Sequence, residues 1–126
     1  MRLLLDTHFV VWAMAASGRP RHARRMMVEL RHDRSISVAS IWEIALKLAR
    51  GKLVLGRPLI EAVEELTIAG ARLLPLTLEH AAHMLSDAPP TSDPFDRMLL
   101  AQCDVEGMRL LTVDGALAGH RLAARA

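Results

Sequence analysis

Short, uninterrupted apolar runs alternate along this chain with longer segments whose apolar residues return every third or fourth position. A strand buried on both faces reads as a continuous apolar run, whereas a helix lying on a sheet buries a single stripe. The strand candidates are RLLL at residues 2–5, SISV at 35–38, RLLPL at 72–76 and RLLTV at 109–113. Helical spacing marks residues 8–15, 21–32, the set Ile41, Ile44, Ala45 and Leu48 stopped by Gly51, then 58–69 and about 79–85. A last helix runs over 94–106, with Pro94 in its first turn and Gly107 at its end. Strands separated by helices predict an α/β protein, a three-layer α/β/α arrangement with a short, mainly parallel central sheet.

With 126 residues the chain is expected to form one domain over residues 1–126, without repeats or linkers. Hydrophobic residues make up 52% and aromatics only 3%, so the core must be aliphatic. Trp12 and Trp42 are expected to anchor it. No apolar run reaches the roughly 18 residues that a membrane span needs. Asp6 and His8 interrupt the N-terminal run, against a signal peptide's apolar region, so the expectation is a cytoplasmic protein with no membrane partner. Cys103 stands alone, which rules out an internal disulfide and a multi-cysteine zinc site.

The formal charge is only +2, yet Arg19, Arg21, Arg24, Arg25, Arg31 and Arg34 face just Glu29 and Asp33 in the same stretch. Arginine forms bidentate contacts with phosphate or carboxylate, which leans towards an anionic partner. The plainer reading is a solvated helix face.

Four acids stand at comparable topological positions. Asp6 closes the first strand, Glu43 falls in the first turn of the helix after the second, Asp96 lies in the first turn after Pro94, and Asp114 comes directly after RLLTV. In an open parallel sheet the carboxyl ends of strands share one edge, and ligand sites form in the crevice there. Each acid also has a local reading. Asp6 and Asp114 can cap the helices next to them in the chain, Ser40-Ile41-Trp42-Glu43 is a formal capping box, and Asp93 suits the N-cap of the Pro94 helix. Asp96 fits a local role least, because it shares a helix face with Leu100 and Cys103, and a buried carboxylate needs a partner or a cation. Carboxylates gathered in one place repel one another, and their oxygens suit Mg²⁺ or Mn²⁺ over zinc. If the acids converge on such an ion, the expected chemistry is metal-assisted phosphodiester hydrolysis.

LLLDTH at residues 3–8, IWEIALK at 41–47 with GKL at 51–53, DPFDRMLLAQ at 93–102 and LLTVD at 110–114 resemble PIN-domain proteins, in the VapC-like toxin branch that carries a DPFDR box. The resemblance spans nearly the whole chain in order and spacing. It implies a PIN-like fold and a metal-dependent endoribonuclease, the toxin of a type II toxin–antitoxin pair. It places the acidic cluster on Asp6, Glu43, Asp96 and Asp114, with Asp6 and Asp96 as the main Mg²⁺ ligands and Mn²⁺ as a substitute. It further implies an RNA substrate, a cognate antitoxin that docks on the toxin, and a homodimer. Thr7 would orient Asp6 through its hydroxyl or serve a local turn. Related sequences often carry a His-Arg pair before the box, where this chain has Thr91-Ser92, and a small Ala where it has Cys103.

Two other classes compete. A phosphoacceptor receiver domain would carry paired acids after its first strand and a lysine after its last, but Asp6 precedes Thr7 and the lysines are Lys47 and Lys52. A non-catalytic RNA- or protein-binding module of the same fold has no need of all four acids. His80 and His83, three residues apart, read as helix-surface or packing residues.

Overall fold

The computed structural model describes residues 2–15, 33–89 and 91–125. The turn expected at 17–20 and the arginine-bearing helix expected over 21–32 lie outside the described residues. In chain order the elements are β1 (Arg2–Leu5), α1 (Thr7–Ala15), β2 (Asp33–Ser37), α2 (Val38–Ala49), α3 (Leu59–Ile68), β3 (Arg72–Leu74), α4 (Leu78–Ala82), α5 (Pro94–Glu106), β4 (Arg109–Thr112) and β5 (Ala123–Arg125). The five strands form one sheet in the order β3-β2-β1-β4-β5. Every pairing in it is parallel, with Leu4 of β1 opposite Ser35 on one side and Leu110 on the other.

Successive side chains of a strand leave opposite faces of the sheet, and β1 shows what that does to an all-leucine run. Leu3 and Leu5 enter one core with Phe9, Val10 and Met14 of α1, Ile44 of α2, and Ala62 and Val63 of α3. Leu4 enters the other with Leu99, Leu100 and Cys103 of α5, together with Leu110, Leu117 and Leu122. Each fully buried leucine contributes roughly 2–3 kcal/mol through removal of apolar surface from water. The three-layer α/β/α arrangement expected from the apolar runs is therefore present, and its sheet is wholly parallel.

From β1 the chain steps outwards to β2 and β3, then crosses back beyond β1 to β4 and β5. Parallel crossovers keep one hand, so a path that reverses direction must carry its helix on the opposite face. That is where α5 packs. The reversal opens a crevice between the carboxyl ends of β1 and β4, the place where open α/β sheets bind their ligands.

Several boundaries differ from the sequence reading for identifiable reasons. The second strand ends at Ser37, whose Oγ accepts the Ala39 N–H at 3.0 Å and starts α2 at Val38, ahead of the expected cap Ser40. β3 stops at Leu74, because Pro75 has no N–H to give a ladder. The expected helix over 79–85 is only α4, whose Thr77 N-cap and buried His80 close a capping box. β5 has no counterpart among the apolar runs. Trp42 is 60% exposed, so it does not anchor the core, whereas Trp12 packs at 5.3 Å from the Phe9 ring. Among the described residues no helix is long and apolar enough to cross a membrane.

Candidate active site

The residue after β1 is Asp6, and its backbone N–H donates to Leu111 O at 3.0 Å, so the β1–β4 pairing runs one residue past the strand end. This fixes the Asp6 side chain at the crevice. The carboxylate is buried, 3% exposed, and its Oδ2 accepts the Thr112 hydroxyl at 2.7 Å. Burial pushes its pKa upwards, and Asp114 adds to the rise. The Thr112 hydroxyl, the His8 charge and the Thr7 N–H oppose it without reversing it.

Glu43 does not close a capping box. With the helix starting at Val38, it sits in the second turn of α2 and turns inwards to α1. Thr7 Oγ1 donates to its Oε1 at 2.8 Å and lies 3.1 Å from Ser40 Oγ. Its other oxygen, Oε2, pairs with Lys47 Nζ at 3.2 Å, one helical turn on. The Thr7 hydroxyl thus serves Glu43, in place of the Asp6 role expected for it. The hydroxyl that orients Asp6 is Thr112, which the sequence reading missed. Its signal is a threonine ending an apolar strand two residues before an acid.

The first turn of α5 carries Asp96. Its helix is capped by Asp93, whose Oδ1 accepts from the N–H groups of Phe95 at 2.8 Å and Asp96 at 3.1 Å, so Asp93 has the local role expected of it. Asp96 is half-buried, and desolvation raises its pKa to about 6, with further repulsion from Asp6, Asp93, Glu43 and Asp114 in that order. Thr91 donates a long hydrogen bond of 3.4 Å to Asp96 Oδ2. Asp114 has both readings at once. Its Oδ1 accepts from Ala116 N at 2.9 Å and caps the next turn, while its charge is felt by Asp6 and Asp96. Its own N–H donates to Thr112 Oγ1 at 3.0 Å, so one threonine ties the first and last of the four acids together.

The four acids thus occupy one electrostatic neighbourhood, contributed by β1, α2, α5 and the β4 exit. Among the described residues no three His, Cys, Asp or Glu side chains are close enough to chelate one ion directly. An all-oxygen set whose charges repel one another fits a hard cation held by one or two carboxylates and its own waters, which is the habit of Mg²⁺. Cys103 takes no part. It is fully buried, and burial raises its thiol pKa to about 12.

An open, wholly parallel sheet with acids that feel one another's charge near the point where the strand order reverses defines an α/β domain with an acidic crevice. Residues 3–120 match the PIN domain, and the chain belongs to that family. It is 26% identical over 121 residues to Ribonuclease VapC22 of Mycobacterium tuberculosis (strain ATCC 25618 / H37Rv), spanning 94% of this chain and 92% of that protein. It superposes with a TM-score of 0.63, at 10% identity, on a chain of the crystal structure of VapBC2 from Rickettsia felis bound to a DNA fragment from their promoter. That match covers 100% of this chain and 98% of the other, and at such identity the likeness is one of fold.

Proposed function

We propose that this chain is the toxin component of a type II toxin–antitoxin pair, a Mg²⁺-dependent endoribonuclease that cleaves phosphodiester bonds of RNA at the pocket of Asp6, Glu43, Asp96 and Asp114. The observation that carries this reading is the buried Asp6 carboxylate, held by the Thr112 hydroxyl at the crevice within reach of the Asp96 and Asp114 charges. The Asp96 carboxyl group, raised to about 6 by burial and by four neighbouring acids, is held in a pocket that calls for a cation. The ribonuclease name of the mycobacterial relative supports the reaction class.

Asp6 and Asp96 would hold the ion, Mg²⁺ or in its place Mn²⁺, and Glu43 and Asp114 would complete the pocket. When bound, the divalent ion supplies charge neutralisation at the phosphate and an acidified water. The chain's own groups do the rest. Thr112 holds Asp6 in one orientation, Thr7 and Lys47 hold Glu43, and burial of Asp6 keeps bulk water from its carboxylate. The Rickettsia felis relative is found in a VapBC complex, which supports a cognate antitoxin as partner here. The exposed apolar side chains Val38, Trp42, Ile60, Leu73 and Leu76 support a homodimer.

The test is cleavage of RNA by the purified protein. Activity should require Mg²⁺ or Mn²⁺, vanish in EDTA, and fall on the order of a hundredfold or more in Asp96→Asn, with the circular dichroism spectrum unchanged. Full turnover in EDTA, or by Asp96→Asn, would overturn it. RNA binding without turnover in any divalent ion would favour the non-catalytic module of the same fold.

A further inference from the structure

Four carboxylates share this crevice, yet they are not equivalent, and the difference lies in what already occupies them. Among the described residues Asp6 gives one oxygen to Thr112, Asp114 gives one to Ala116 N, and Asp96 has only the 3.4 Å bond from Thr91. Glu43 has both oxygens engaged, Oε1 by Thr7 at 2.8 Å and Oε2 by Lys47 at 3.2 Å. Among the described residues Lys47 is the only lysine or arginine paired with any of the four acids.

An i,i+4 Glu–Lys pair on a helix surface is usually worth a few tenths of a kcal/mol and little else. This pair is placed differently. The Glu43 side chain is 14% exposed, and its far oxygen is fixed by a threonine from another helix. The Lys47 side chain is 42% exposed, so its ammonium meets Glu43 from the protein surface. A positive charge there competes with any divalent ion for the field of the same carboxylates.

We propose that Lys47 is the resident counter-cation of the acidic pocket, a positioning residue that clamps Glu43 against Thr7 and keeps it from direct ligation, so that the pocket takes one divalent ion at Asp6 and Asp96. This inference rests on the metal-dependent reading of the site and deepens it. The clamp keeps Glu43 aimed at Thr7, and it sets the ion's affinity lower than three free carboxylates would give.

The test is Mn²⁺ binding by calorimetry and by the electron paramagnetic resonance of free Mn²⁺, without RNA, in the unaltered protein, Lys47→Met and Lys47→Arg. The unaltered protein should bind one ion. Lys47→Met should bind Mn²⁺ on the order of three- to tenfold more tightly, since a unit positive charge near the ion is lost, or take up a second ion. Its RNA turnover should nevertheless fall, because Glu43 is released. Lys47→Arg should restore affinity and stoichiometry to those of the unaltered protein. Unchanged Mn²⁺ affinity and stoichiometry in Lys47→Met would overturn the inference alone and leave Lys47 as a surface pair. So would weaker RNA binding with unchanged Mn²⁺ binding, which would assign Lys47 to the RNA backbone. Absence of any Mn²⁺ binding by the unaltered protein would overturn the metal-dependent reading itself, and this inference with it.

Discussion

At the scale of single residues, the site is a set of carboxylates held against their own repulsion, and this has a consequence for stability. Asp96 has an ordinary carboxylate pKa when unfolded and one of about 6 when folded. A raised acid pKa means that the folded state binds the proton more tightly, so the contribution of this group favours folding below about pH 4 and is lost as the pH rises through 6. Without divalent ions, Asp96→Asn should therefore melt at a higher temperature than the unaltered protein at pH 7, and the gain should disappear near pH 4. With millimolar Mg²⁺ the unaltered protein should recover stability and the variant should not, because ion binding stabilises only the state that binds it. Thermal melts at the two pH values, with and without Mg²⁺, decide the matter; equal melting temperatures in every condition would mean that neither burial nor the neighbouring acids disfavour the Asp96 carboxylate. The acids themselves were legible in the sequence because each lies at the end of a strand or near the start of a helix. Their partners were less so. Thr112 pairs with Asp6 across 106 positions, and Thr7 with Glu43 across 36, distances at which sequence carries no periodic signal.

At the scale of elements, one side chain shows how the layers are joined. Ser37 ends β2, and its Oγ accepts the Ala39 N–H that begins α2 while donating to Gln102 Oε1 of α5 at 2.6 Å, all with no exposure to solvent. Gln102 in turn reaches Pro75 O and the His80 ring at 3.4 Å, so a buried polar chain links β2, α5 and the start of α4. Ser37→Ala should lose a helix cap and leave the Gln102 amide oxygen unpaired in the core. Together these cost about 2–3 kcal/mol, which should appear as a lower urea midpoint with an unchanged slope. A loss within a few tenths of a kcal/mol would show that the chain of polar groups relaxes without consequence. Helix-forming periodicity located α2, but its start was misplaced because Ser37 and Ser40 are both good caps. Only the β1–β2 register, with Ser35 opposite Leu4, decides where the strand ends and the cap begins. β5 escaped the sequence reading for a related reason. Its residues, Ala123–Arg125, lack β-branched or aromatic side chains, and the strand forms because β4 offers an open edge.

At the scale of the whole molecule, the apolar runs specified the layers well, since a leucine strand buried on both faces has few alternatives to a covered parallel sheet. They failed to say which apolar side chains would remain outside. Trp42 has the composition of a core residue and an exposed position, and its neighbours on the surface are also apolar. Val38 and Trp42 of α2, with Leu76, Pro94, Phe95 and Met98, line a trough of about 410 Å³. Val38 also borders a second trough of about 390 Å³ with Ile41, Leu59, Ile60, Val63 and Leu73. Adjoining apolar troughs on one side of the protein form a larger patch than scattered surface leucines would, and patches of that kind are usually covered by another chain. If a second copy covers this one, burial of roughly 800 Å² on each partner would suffice for a stable dimer. Trp42→Gln, which adds no charge beside Glu43, tests this with little risk to the fold, because a side chain 60% exposed contributes little to the core. Sedimentation equilibrium should give twice the 13.9 kDa chain mass for the unaltered protein and the single-chain mass for the variant. Mn²⁺ affinity should remain the same, because the tryptophan ring lines the trough and supplies no ligand to the ion. A monomer at every concentration of the unaltered protein would remove the homodimer from the proposal while leaving the acidic site intact.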